Sequence, residues 1–435
     1  MMRLPGMIRV RQIFDGSVVE DIGAEISSQI AKVQAVRRAK KGQVVAVACG
    51  SRGIANYASI VEATVRALRE RGLNSFLIPA MGSHGAATSA GQKKVLERIG
   101  ITERAMGVPV LSSLKTTKIG ETEDRIPVYL DRLAFQADYI VPVNRIKSHT
   151  DFGGAIESGL MKMMAIGLVK KRGASAYHQA VFELGYPRVI LAVARKVLES
   201  RKILFGVAIV ENGYGQTATL RALGPEDIEA KEKELLREAK RLAPRLPFTD
   251  IDLLVVDEIG KEISGTGMDT KVVGRILLPL LSEEPESPRV RRIVACDLTD
   301  HSAGNALGVG LADFVTKRLV DKIDFRATNL NALAGGCPEQ ARIPLTLGDD
   351  RQAVEAAVGS LGAISPEKLK IVRIRNTMRL AEVEVSQEYR RALWRRKDLQ
   401  VVSEEGPLRF DPEGNLRPFL NKPELDRYHH KKEAK

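Results

Sequence analysis

The residues able to do chemistry in this chain of 435 residues gather in a few short segments. Gly50-Ser51-Arg52-Gly53 follows an apolar run. Small residues there let an anion approach backbone N–H groups, and the arginine fork suits a carboxylate or phosphate. Met81-Gly82-Ser83-His84-Gly85 follows the next apolar run and puts a histidine on an open loop, where it can exchange protons near neutral pH. Asn144 to Gly154 holds His149, and Glu157-Ser158-Gly159-Leu160-Met161-Lys162 places a lysine in a methionine-rich apolar stretch. An unpaired ammonium is costly to bury, so Lys162 must snorkel, pair or be chemically used. His178 follows a basic segment, and His301 follows a later apolar run. Each segment also has a bland reading: a plain strand-to-helix turn, a turn histidine satisfied by backbone, a snorkelling lysine, methionines as core filler. His429 and His430 fall in the tail and look incidental.

The elements that must position these residues alternate. Val44 to Cys49, Ser75 to Ala80, Tyr139 to Val143, Ile203 to Val210, Asp252 to Val256 and Arg292 to Cys296 read as strands, with amphipathic helical stretches between them. Ile54, Tyr57, Val61, Val65 and Leu68 recur at helical spacing before Gly72, which completes a βαβ unit. The pattern predicts an α/β fold of two domains with largely parallel sheets. In such sheets ligands bind beyond the carboxyl ends of the strands, where the segments above lie. A charged helix over Pro225 to Leu242 ends near Pro244 and Pro247, setting an N-terminal α/β domain at 1–247. A C-terminal α/β domain at 248–398 is expected to include helices over Leu311 to Lys322 and Arg351 to Gly359. Residues 399–435 read as a polar arm or tail.

Composition narrows the function classes. The longest clean apolar run, Ile203 to Val210, is far short of the ~18–20 residues that a spanning helix needs, and the first thirty residues lack a signal-peptide core. A cytoplasmic location is the expectation. Three scattered cysteines form no CxxC pair. The net charge of +13 is spread over many helices, as in a solvated surface, which makes nucleic-acid binding the weaker reading. HExxH, GxSxG, GxxxxGK[ST] and a GxGxxG opening a βαβ unit are all absent from the sequence, so the zincin, α/β-hydrolase, P-loop and plain Rossmann readings lose their best warrants.

Taken in order, Gly50-Ser51-Arg52, Gly82-Ser83-His84, the His149 segment and Ser158-Gly159-Leu160-Met161-Lys162, with His178 sixteen residues later, resemble the nickel-dependent lactate racemases and related 2-hydroxyacid racemases and epimerases. Gly335-Gly336-Cys337-Pro338-Glu339-Gln340 resembles the family segment that sends a glutamine into the site. The resemblance implies a nickel-pincer nucleotide joined to Lys162, with Ser51 and Ser158 beside it and His178 as a nickel ligand. It also implies His84 and His149 as the acid/base pair, Arg52 and Gln340 on the substrate, and the active site in the interdomain cleft. The activity implied is inversion at C2 of a 2-hydroxy acid by reversible hydride transfer. The partners implied are the small-molecule substrate and the enzymes that make the cofactor, with a homo-oligomer as a further expectation.

Square-planar or tetragonal coordination including nitrogen suits Ni(II), and a poorly solvated lysine can have its pKa lowered enough to act as a nucleophile. The chain departs from the family at Cys49-Gly50-Ser51, where the classical racemases carry an acidic residue shortly before the arginine. It departs again in a longer segment after His149 and at Ile263 to Lys271. Extra polar residues there, Lys147, Asp151 and Glu157, point to a larger 2-hydroxy acid such as a sugar acid. Two rivals are a hydrolase or lyase whose histidines bind a metal directly, and a non-enzymatic binder of anions or nucleic acid.

Overall fold

Val44 to Cys49 is apolar on both sides of the pleat, which suits a central strand covered on both faces. Its neighbours read the same way and assemble around it. The computed structural model describes residues 3–418 apart from 52, 83, 84, 86, 87, 280 and 404, with the backbone alone at 171, 172, 174, 175 and 178. The chain divides into two units. One holds Phe14–Pro244 with Pro279–Ser282; the other holds the described parts of Met1–Ile13, Arg245–Leu278 and Glu283–Lys435.

The opening strand, β1 (Met7–Gln12), belongs to the second of these. The unit of residues 14–244 carries β2 (Val44–Cys49), β3 (Asn74–Pro79), β4 (Thr116–Glu121), β5 (Pro127–Asp131), β6 (Tyr139–Arg145), β7 (Gly206–Glu211) and β8 (Thr217–Leu223). Its main sheet runs β3-β2-β6-β7-β8, parallel from β3 to β7, with β8 antiparallel at the edge. β4 and β5 form a separate hairpin. Because side chains alternate along a strand, Val45, Val47 and Cys49 enter the core under the helix Tyr57–Glu70. Ala46 and Ala48 enter the opposite core, shared with Met161, Met163, Met164 and the helices Tyr186–Glu199 and Ile228–Leu242. The methionines are core residues, as the bland reading had them.

In the other unit β9 (Asp250–Val256), β10 (Arg289–Ala295), β11 (Phe314–Thr316), β12 (Leu345–Leu347), β13 (Ile371–Ile374), β14 (Glu382–Ser386) and β15 (Leu399–Val401) join β1. The order is β12-β11-β10-β9-β13-β14-β1-β15. It is parallel from β12 to β13 and antiparallel beyond. The fold is α/β with largely parallel, mixed sheets.

Two expectations change. Leu311 to Lys322 is not one helix: Phe314–Thr316 is a buried strand, and Thr316 caps a short helix, Lys317–Asp321, by accepting from Leu319 N–H. Burial between neighbouring strands outweighs the helical spacing there. Leu399–Val401, expected to begin an arm, is an edge strand on β1. Beyond it Gly406 pairs with Met7, and Leu416 N–H donates to Asp350 Oδ2 at 2.7 Å. Among the described residues no helix is long and apolar enough to cross a membrane.

Candidate functional site

Parallel strands β2, β3 and β6 end side by side, and their backbones are tied together beyond the last sheet bond. The Tyr57 hydroxyl accepts from Gly50 N–H at 2.6 Å and donates to the Val143 carbonyl at 2.8 Å, locking the end of β2 to the end of β6. Ala80 N–H donates to the Cys49 carbonyl at 2.7 Å, locking β2 to β3. Burial pushes the Tyr57 hydroxyl well above its usual range and the Cys49 thiol up to about 12, so both stay neutral. Cys49 is a packing residue. The loop after β2 is held by Glu211, whose carboxylate accepts from Ala55 N–H at 2.7 Å and pairs with Arg145. Ser51 is half-buried on that loop. Arg52 lies outside the described residues, as does His84.

The lysine segment packs directly under these strand ends. Leu160–Lys162 is one turn of helix, followed by a π turn over Met163–Gly167 in which Leu168 N–H reaches back to the Met163 carbonyl at 3.0 Å. Such π bulges recur at functional sites. Gly82 N–H donates to the Gly167 carbonyl at 3.2 Å. A Cβ on Gly167 would lie 2.5 Å from the Ala80 carbonyl oxygen, so only glycine permits this approach of the turn to the end of β3. On the other side the Met163 methyl lies 3.5 Å from where a Cβ on Gly50 would be. Asn144 donates its amide to the Gly159 carbonyl at 2.9 Å, completing the tie from β6.

Two lysines eight residues apart have different environments. Lys162 is half-buried at the head of the π turn. Lys170 is fully buried: its ammonium donates to the Pro79 carbonyl at 2.5 Å and to Gln92 Oε1 at 3.3 Å, and lies 3.0 Å from Asp131 Oδ2. Gln92 in turn donates to the Gly82 carbonyl at 2.8 Å. Burial lowers the Lys170 pKa, opposed by Asp131. This network had no sequence signal beyond a basic run, because its partners lie about forty to ninety residues away. It fixes the backbone at Pro79 and Gly82, at the end of β3.

The buried carboxylate of Glu232 accepts from Leu160 N–H at 2.8 Å and Met161 N–H at 3.0 Å, capping the lysine turn. Its Oε1 has no hydrogen-bond partner, and burial raises its pKa to about 7. The His149 segment returns to the same turn, since Lys147 and Ser158 pair backbone to backbone at 2.9 and 3.1 Å. Ser158 is therefore placed next to the lysine turn through its main chain. Inside this loop Glu157, almost fully buried, accepts from His149 N–H at 2.7 Å and Gly154 N–H at 3.1 Å and pairs with Lys240 at 2.5 Å. It is a loop anchor, so the expectation that it meets substrate hydroxyls does not fit its surroundings. The His149 ring stacks on Phe152 at 4.3 Å, and Phe152 stacks on Tyr186 at 4.8 Å.

His178 lies on the helix Lys170–Leu184 that leaves the π turn; its side chain is outside the described residues. Gln340 is in the other unit, 1% exposed, with its amide nitrogen donating to the Ile276 carbonyl at 2.8 Å and its Oε1 without a hydrogen-bond partner. His301 is exposed in that unit. Among the described residues no three His, Cys, Asp or Glu side chains gather as a metal-binding group.

Residues 15–186 match the family model for the lactate racemase N-terminal domain. The lactate racemase apoprotein from Thermoanaerobacterium thermosaccharolyticum is similar in fold, with a TM-score of 0.54 over 83% of this chain and 93% of that one at 13% identity. A protein from Thermotoga maritima is similar at a TM-score of 0.51 and 14% identity, covering 85% of this chain and 99% of that one. No curated protein matches the sequence. The matched residues include β2, β3, β6, the lysine turn and His178. Over residues 15–186 the chain is thus similar to the N-terminal domain of lactate racemases, and its fold is similar to that of a lactate racemase.

Proposed function

We propose that the chain inverts C2 of a 2-hydroxy acid, with a nickel-pincer nucleotide anchored on Lys162. One observation carries the reading: the segments of Ser51, Gly82 and Lys162 are tied to one another at the carboxyl ends of β2, β3 and β6, and the His149 loop closes on the same turn. The residues present suit the group. Lys162 is the amine at the head of this turn that is not sealed in the core, whereas Lys170 is enclosed by three oxygen atoms. When bound, the cofactor supplies a reversible hydride acceptor; the protein supplies placement and proton transfer. Lys162 and His178 would hold it, with Ser51 and Ser158 beside it. Arg52 would orient the substrate carboxylate, and Gln340 would support the substrate. His149 and His84 would move the hydroxyl proton, each serving one enantiomer as base and the other as acid. The substrate class stays at 2-hydroxy acids, and a sugar acid fits the polar residues around His149 through Lys147.

Intact-protein mass spectrometry after co-expression with cofactor-making enzymes tests the anchor. The expected result is an adduct on the wild type that is lost in Lys162→Ala and kept in His149→Ala. An unmodified wild-type chain that still turns over substrate would favour direct metal ligation by histidines and overturn the proposal. Incubating the loaded enzyme with a panel of chiral 2-hydroxy acids then reads the substrate.

A further inference from the structure

An imidazole that works as a base at one nitrogen depends on what its other nitrogen faces. His149 Nδ1 accepts the backbone N–H of Asp151 at 3.0 Å, so the neutral ring carries its hydrogen on Nε2. That tautomer has no lone pair at Nε2 for a substrate hydroxyl. A ring ready to accept a proton at Nε2 carries hydrogen on Nδ1, and this hydrogen cannot face the Asp151 N–H. It needs an acceptor, and Asp151 Oδ2 lies 3.9 Å from the same nitrogen.

We propose that Asp151 is the positioning residue of His149: its backbone N–H holds the resting tautomer, and its carboxylate takes the Nδ1 hydrogen when the ring works as a base or carries two protons. The inference rests on His149 being a proton-transfer group in the proposed reaction. Three further observations support the pairing. Asp151 Oδ1 is buried with no hydrogen-bond partner, so the carboxylate has unused acceptor capacity in the fold. The Asp151 carbonyl accepts the Ser282 hydroxyl, which fixes its backbone while leaving the side chain to rotate. Stacking on Phe152 keeps the ring plane constant, so the 3.9 Å gap closes by motion of the carboxylate. Of the neighbouring groups, Glu157 pairs with Lys240 and takes the His149 backbone N–H, and the Tyr186 ring lies 6.1 Å from the His149 ring, beside Phe152. Between the tautomers the proton balance is simple: a proton enters at Nδ1, giving the imidazolium, and another leaves from Nε2.

The pairing is testable on the full chain without cofactor. Nitrogen-resolved NMR of the histidine rings, with His149 identified by the signal lost in His149→Gln, should show a neutral ring protonated at Nε2. In Asp151→Asn the protonation midpoint of that ring should fall by about one pH unit, because an opposite charge within about 4–6 Å favours the charged form. Asp151→Ala should lower it similarly, and Asp151→Glu should restore most of it. An unchanged midpoint in Asp151→Asn and Asp151→Ala, each folded by near-UV circular dichroism, overturns the inference. In the loaded enzyme kcat should drop about tenfold to hundredfold in Asp151→Asn with KM little changed. A shifted midpoint together with a wild type that turns over no 2-hydroxy acid upholds the pairing and counts against the reaction instead.

Discussion

At the scale of single residues, Lys162 and Lys170 show how identical side chains acquire different tasks. Lys170 adopts a left-handed backbone conformation, φ 56°, rare for a residue with a Cβ, and its ammonium joins β3, Gln92 and Asp131 in the core. Removing it leaves the Asp131 charge buried and the Pro79 carbonyl without this donor. Lys170→Ala should therefore cost about 3–5 kcal/mol, read as a lower urea midpoint, the penalty for breaking a buried pair. Lys162→Ala, at a half-buried position, should cost much less while abolishing the adduct. The reverse order of stabilities would mean that the two lysines have been assigned the wrong tasks.

At the scale of elements, the lysine turn depends on a carboxylate from a distant helix. Glu232 caps Leu160 and Met161 from Ile228–Leu242, and its pKa rises from 4.5 to about 7 through burial. A group whose folded pKa is raised contributes stability in its protonated form. That contribution is complete below about pH 4.5 and is lost as pH rises toward about 7. By linkage the loss amounts to about 3 kcal/mol at most. Chemical denaturation across that window should show wild-type stability declining relative to Glu232→Gln, whose curve lacks this component. Parallel curves would show that Glu232 ionises as easily in the folded chain as in the unfolded one. The π turn makes a second demand on the same segment. Gly167→Ala sets a methyl against the Ala80 carbonyl, and should destabilise the fold by about 1–3 kcal/mol while loosening the Gly82 loop, measured by amide exchange at Gly82.

At the scale of the whole molecule, chain order and spatial order differ. β1, near the start of the sequence, lies between β14 and β15 in a sheet whose other strands come after residue 249. Deleting residues 3–13 removes an interior strand and exposes the backbone edge of β14. The expected outcome is loss of protection throughout the unit of residues 245–418 in hydrogen exchange, with the β2–β7 sheet retained. Uniform loss in both units would show that they unfold as one. The charge of +13 belongs to this scale as well. Were polyanion binding the main activity, affinity would fall steeply with salt and ignore Lys162→Ala.

The sequence by itself determined the α/β alternation and the candidate segments beyond the strand ends, because burial on both faces writes continuous apolar runs and ligands bind where parallel strands end. It also carried the order of Ser51, His84, His149, Lys162 and His178 that resembles the lactate racemases. Only the tertiary structure decided which polar residues are scaffold. Glu157 looked like a substrate contact and anchors a loop; Lys170 looked like one of a basic run and is sealed in the core; Asp151 faces His149. Phe314–Thr316 became a strand through neighbours on both sides, and Leu399–Val401 through a strand nearly four hundred residues away. The physical reason is common to all of these: periodicity is a local property, whereas the cost of burying a charge or an unpaired backbone group is set by partners that folding brings from elsewhere.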